Sequence, residues 1–222
     1  MARQARLVVP GQAHFVIQRG HSGRVVFVDD DDRRQFLDAL REASAEHRVS
    51  VHAYALAEDE TQMLLTPSDA LALSRMMQML GRRYVSAYNR RHGVAGTLWD
   101  GRFRCAVVEP GDALLKALLL IDGHGGFSSA AQRSGGPREP VISDPPELWR
   151  LGNTPFEREA AYRALLAQGV APEEARGLRH AALGGWVFGS PAFLAQLAAQ
   201  ADRALRPRAR GRPARSASPH TR

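Results

Sequence analysis

Glu60 and Gln62 stand two residues apart within Tyr54 to Leu65, YALAEDETQMLL. The apolar runs Tyr54-Ala55-Leu56-Ala57 and Met63-Leu64-Leu65 flank the acidic triplet Glu58-Asp59-Glu60. That pattern is the signature of a β-hairpin or a bulged strand end. Strand side chains repeat every two residues, so Glu60 and Gln62 are expected side by side on one sheet face. A carboxylate and an amide so placed can converge on one ligand or metal. The other reactive groups read differently. Cys105, the one cysteine, lies in the strand-like RFRCAVVE and reads as a small packed residue. Asp29 to Asp32 precede a helical pattern and read as a cap and solvated turn.

Charge supplies the second clue. Lysine and arginine number 30 against 23 acidic residues, a net +7, and Lys116 is the only lysine. A guanidinium fork bonds two phosphate oxygens at once, so a polyanion is the natural partner. A GC-rich genome explains arginine in place of lysine but not the excess of positive over negative charge. Nucleic acid is therefore the expected partner. The chain of 222 residues is 44% hydrophobic and 24% charged, ordinary for a folded protein. No apolar run reaches the roughly 18 residues of a membrane span. Only Leu7-Val8-Val9 follows the basic start before Pro10, too short for a signal-peptide core. One cysteine excludes a disulfide framework. These features predict a cytoplasmic, nucleoid-associated protein that does not engage membranes.

The elements that must position these groups follow from periodicity. Ala13 to Val28 reads as a strand, a turn at Gly20 to Gly23 and a short extended run. Phe36, Leu37, Leu40 and Ala43 have helical spacing behind the aspartates. Val49 to Ala57 and Gln62 to Leu65 are strands, and Thr66 to Asp69 a turn and helix cap. Ala70 to Arg91 is a long amphipathic helix with Leu73, Met76, Met77, Leu80, Tyr84 and Tyr88 on one face. Phe103 to Glu109 is a strand, and a helix runs from the Pro110-Gly111-Asp112 cap to about Asp122. The order gives a βαββαβ plan, a ferredoxin-like split sheet with helices on one face, in the α+β class. Residues 128–152 are rich in Ser, Gly and Pro and read as a linker. Helices are expected from Pro155 to Gln168, Pro172 to Ala182 and Pro191 to Leu205, a helical extension over 153–205. Residues 206–222 lack apolar periodicity and read as a disordered Arg-rich tail.

Three stretches, LVVPGQAHFVIQRGHSGRVVFVDDDDRRQFL, VHAYAL and MMQMLGRRYVSAYNRRHGVAGTLWDGRFR, resemble the single-tyrosine HUH transposases. The nearest branch is the REP-associated tyrosine transposases, and the likeness covers roughly residues 5–150. It implies a transposase-like HUH domain over 1–127. It also implies a strand histidine pair that holds a divalent metal, and a helix tyrosine that attacks a phosphodiester of single-stranded DNA. On this chain the histidine positions fall on Glu60 and Gln62, the nucleophile position on Leu120 and the helper position on His124. Leucine cannot attack phosphorus, and no tyrosine lies between Tyr88 and Tyr162.

Two readings of that site stay open. Glu60, Gln62 and His124 offer a carboxylate, an amide oxygen and an imidazole to Mg²⁺ or Mn²⁺. Alternatively they are the remnants of a degenerate site whose polar residues merely face solvent, and no cofactor is expected. The reading carried forward is binding of single-stranded or hairpin repeat DNA without cleavage; the alternative is an active, metal-dependent transposase with a displaced site. For binding, Arg19, Arg82, Arg83, Arg90, Arg91, Arg102 and Arg104 would contact phosphate. Tyr88 or Trp99 would stack on a base, or Trp99 would plug the edge of the core. Arg210 and Arg212, in Arg-Gly-Arg-Pro, resemble an AT-hook core suited to a narrow A·T minor groove. The resemblance also leaves a homodimer open.

Overall fold

A computed structural model describes residues 6–199, 201 and 203–207. The strands are β1 (Ala13–Arg19), β2 (Val49–Leu56), β3 (Glu60–Pro67), β4 (Arg104–Val108), β5 (Phe127–Ser128) and β6 (Val187–Phe188). The helices are α1 (Asp30–Glu46), α2 (Ala72–His92), α3 (Asp112–Asp122), α4 (Ala130–Arg133), α5 (Pro155–Gln168), α6 (Pro172–Gly184) and α7 (Pro191–Ala198). No helix among the described residues is long and apolar enough to cross a membrane.

The strands form one sheet in the order β5-β2-β3-β1-β4-β6. Its central four, β2-β3-β1-β4, pair antiparallel and carry α1 and α2 on one face. This is the ferredoxin-like unit expected from the element order. Asp29 caps α1 as its sequence position suggests, its carboxylate accepting from the N–H groups of Asp31 and Asp32. Phe36, Leu40 and Ala43 of α1 meet Leu73, Met76, Leu80 and Tyr84 of α2 over Val16, Tyr54, Met63 and Leu65 of the sheet.

Alternation along the strands builds a second core on the other face. Phe15, Ile17, Ala53, Leu64 and Ala106 pack there against α3, against Tyr162 of α5 and against Leu178, Ala181 and Ala182 of α6. Helices thus cover both faces: the expected one-face arrangement holds for α1 and α2, while α3 and the C-terminal helices close the opposite side. That side buries apolar residues too, so it needed a cover.

Residues 128–152 are not a linker in this fold. They supply the end of β5, which pairs with Ala55 and Leu56, and then α4 and a 3₁₀ segment, Pro146–Leu151, whose Leu148 enters the second core. Arg133, in α4, is the reason the segment stays down. It donates to Asp122 at 2.8 Å and to the His52 carbonyl, while Asp122 also accepts from Ser129 and Tyr162 at 2.6 Å. The extension likewise contributes to the sheet, since β6 pairs in parallel with Val107 and Val108. The last helix ends at Ala198, short of the expected Leu205.

One buried group on β1 makes stability depend on pH. His14 is fully buried, with Nδ1 set 2.8 Å from the Gln12 carbonyl and Nε2 accepting from the Val9 N–H. Both ring nitrogens are satisfied in the neutral form, and burial holds the imidazole at about 4, below the ordinary 6.5. Because the folded value lies below the unfolded one, stability is full above pH 6.5 and is lost as pH falls toward 4. The gap corresponds to about 3 kcal/mol. Urea unfolding across that window should show this loss, and His14→Gln should flatten it.

Candidate functional site

The hairpin of β2 and β3 places Gln62 and Glu60 on the face covered by α3 and α6. Gln62 pairs in register with Ile17 on one side and Ala55 on the other, and Glu60 pairs with Arg19. The expectation that Glu60 and Gln62 share one face holds. Both are buried, at 6% and 4% exposure. What meets them is cationic. Arg179, from α6, donates Nη1 to Oε1 and Nη2 to Oε2 of Glu60, each at 2.7 Å. Arg19 donates Nε to Oε2 at 2.7 Å, and Gln62 donates Nε2 to Oε1 at 2.9 Å. Burial alone would raise the Glu60 carboxyl, but the bonds from Arg179 and Arg19 outweigh it and hold the group below its ordinary range.

This donor set does not fit a divalent metal. Four hydrogen bonds occupy the carboxylate lone pairs, and Gln62 presents its N–H₂ to Glu60. Two guanidinium charges stand where a cation would approach. His124 is not part of the cluster: it follows α3 as an exposed residue, and its ring makes no hydrogen bond among the described residues. No group of three or more His, Cys, Asp or Glu among the described residues could hold a metal ion. Leu120 does lie on this side of the sheet, half-buried against the second core that its buried neighbours Leu118, Leu119 and Ile121 belong to. Its side chain packs and has no group to donate or ionise. Cys105 is buried too, and burial pushes its thiol up to about 11, away from nucleophilic use.

The arginines expected to meet phosphate divide into two sets. Arg19 is bound to Glu60, Arg83 to Glu42, and Arg91 to Asp29 and Asp32. Arg91 therefore locks the end of α2 to the start of α1. The carboxyl of Asp29 is held well below its usual range, chiefly by the Arg91 hydrogen bond. By contrast, Arg82, Arg90, Arg102 and Arg104 are exposed and form no ion pair among the described residues. Arg75, not among the arginines expected to meet phosphate, joins this second set.

Tyr88 does not present a stacking face. Its ring is buried between Tyr84 and His92, with centroids at 6.0 and 4.4 Å, and its hydroxyl donates to the Val25 carbonyl at 3.0 Å. The ring sits on the inward face of α2, so packing claims it. Trp99 is likewise mostly buried, 6.4 Å from Phe36 and 6.1 Å from Tyr84, and its indole N–H has no partner among the described residues. It closes the edge of the first core and forms part of the wall of a surface groove. Arg210 and Arg212 lie outside the described residues.

Sequence reasoning missed Arg179, Arg133 and Asp122. Arg179 sits within PEEARGLRHAALG, where nothing local distinguishes it from Arg176 beside it, which is exposed and 3.9 Å from Glu173. Its contact with Glu60 spans 119 residues. The one local signal was the place of Asp122 at the end of the apolar run ALLKALLLI, since an acid buried there requires a cation nearby.

The chain matches no protein-family model and no curated protein. Among solved structures, it is similar to a REP-associated tyrosine transposase bound to a REP hairpin, at 12% identity and a TM-score of 0.46. That likeness covers 65% of this chain and 93% of the other. It is also similar to a candidate transposase from Deinococcus radiodurans R1, at 20% identity and a TM-score of 0.38, over 49% of this chain and 87% of that one.

Proposed function

We propose that this protein is a transposase-like DNA-binding protein that recognises single-stranded or hairpin repeat DNA without cleaving it. The observation that carries the reading is the Glu60 cluster. At the position where a transposase of this kind would hold its metal, the carboxylate is taken by Arg19 and Arg179. At the nucleophile position stands Leu120, packed against apolar neighbours. Neither residue can support phosphodiester attack. The charge needed for binding remains: the chain keeps a net +7, and several exposed arginines have no carboxylate partner among the described residues. Arginine free of ion pairs is available to phosphate. Such a protein belongs with the nucleoid, where repeat DNA is found.

Incubation with end-labelled hairpin DNA and Mg²⁺ or Mn²⁺ tests the proposal. Retention of the DNA, falling with salt in proportion to the phosphates contacted, is the expected result. No covalent protein–DNA adduct should appear on a denaturing gel. An adduct would overturn the non-cleaving reading in favour of an active transposase with a displaced site. Absence of any DNA binding would overturn both.

A further inference from the structure

A groove of about 610 Å³ runs along the outer flank of α2 toward the loop before β4. It lies on the face of the sheet opposite Glu60, since Gln18 borders it while the adjacent Arg19 points to Glu60. Its walls include Arg75, Arg82 and Arg102, and no Asp or Glu among the described residues. We propose that this groove binds a single strand of nucleic acid, with phosphates on these three arginines and bases over its apolar floor. The proposal rests on the DNA-binding reading above and gives it a location.

Three features carry it. Arg75 and Arg82 are seven residues apart, two helical turns, so they project from one flank about 10.5 Å apart. Both are exposed and unpaired among the described residues, as is Arg102. On the neighbouring surface, α2 has Arg83 neutralised by Glu42, and at its far end Arg91 by Asp29 and Asp32. Arg75 and Arg82 are thus left without a carboxylate partner among the described residues of the groove, as Arg90 is outside it. The floor is apolar where a base would lie: Leu71 is 56% exposed, and Val85 and the buried Met77 and Phe103 line the groove with it. Finally, Gly81 lies in the groove in mid-helix, where glycine costs roughly 0.5–1 kcal/mol relative to alanine. No packing demands it, because a Cβ there would meet nothing within 4 Å. Its effect is to keep the floor low.

These features select a strand over a duplex. Base faces are hidden within a duplex, and only an unpaired base can lie flat on an apolar floor while its phosphates reach flanking guanidinium groups.

The test uses the full chain and fluorescence anisotropy with a labelled oligothymidylate of about 16 nucleotides, which forms no hairpin. Replacing Arg75, Arg82 and Arg102 together by alanine should weaken binding about tenfold or more near 0.1 M salt. It should also lower the salt slope by about 2, three contacts at roughly 0.7 each. A control carrying Arg34→Ala, Arg41→Ala and Arg176→Ala loses equal charge from elsewhere on the surface and should stay within about threefold of the parent. Gly81→Leu should weaken binding while raising the thermal midpoint. If the groove variant binds like the parent, or the control loses as much, the groove assignment is overturned and the DNA-binding reading stands. If a duplex of equal length shows the same dependence on the groove, the single-strand assignment is overturned. If the parent binds neither oligothymidylate nor hairpin, the DNA-binding reading fails and takes the groove with it.

Discussion

Asp122→Ala is expected to cost about 3–5 kcal/mol of folding stability, measured by urea unfolding at neutral pH. The Asp122 side chain is fully buried, and that of Arg133 is 4% exposed. Removing the carboxylate leaves a guanidinium deep in the fold with the Asp144 carboxylate, at 3.6 Å, as its nearest remaining counter-charge. It also deprives the Tyr162 hydroxyl of its acceptor and leaves the Ser129 hydroxyl only the Tyr54 carbonyl at 3.3 Å. Burial, with the Asp122 charge beside it, pushes the Tyr162 phenol above its ordinary range, so that hydroxyl stays a donor. Asp122→Asn keeps an acceptor without the charge and should fall between the parent and Asp122→Ala. Tyr162→Phe removes one hydrogen bond and should cost about 1–2 kcal/mol. A loss below about 1 kcal/mol for Asp122→Ala would show that the network is hydrated in solution.

Arg179→Ala is the second large effect, expected at about 2–3 kcal/mol. Breaking a fully buried pair costs more, but the Arg179 side chain is 38% exposed and water screens part of its attraction. The remaining carboxylate keeps Arg19 and Gln62 yet loses its bidentate partner. The pH dependence separates this ion pair from simple packing. In the parent, the folded Glu60 carboxyl lies below its ordinary 4.5. Its contribution is therefore present above that value and is lost as pH falls through the folded one. In Arg179→Ala burial has less to oppose it, so the carboxyl moves up and the acid-side loss shrinks. Unfolding midpoints for parent and variant should converge as pH falls below about 4.5.

How much of this could be seen in the sequence differs by the range of the interaction. Local pattern was enough for the central unit. Alternation marked β2 and β3, four aspartates and helical spacing marked α1, helical spacing marked α2, and a Pro-Gly-Asp cap marked α3. Element order then gave the split sheet, and period-two geometry put Glu60 beside Gln62. The rest depends on partners distant in sequence. β5 and β6 are two residues each, too short to show alternation. The 128–152 segment has the Ser, Gly and Pro content of a loop, and contacts with residues outside it, the tie between Asp122 and Arg133 and the pairing of β5 among them, make it part of the fold. Tyr88 and Trp99 look the same in sequence whether they face a base or a core. The side of α2 and the loop that they occupy decides it, and both turn inward. The identity of the Glu60 partner could not be read at all, because any of the exposed arginines has the same chemistry.

The two shortest strands also decide how copies of this protein can meet. On one flank, the outward groups of β2 are engaged: Ser129 N–H donates to Tyr54, Arg133 to the His52 carbonyl and Ser143 N–H to Val51. On the other flank, β6 takes up Val107 and Val108, and Glu109 N–H donates to the Phe188 carbonyl. Open strand edges are templates for another chain. Here the chain's own later segments close both, so a second molecule cannot extend the sheet at those positions of β2 and β4.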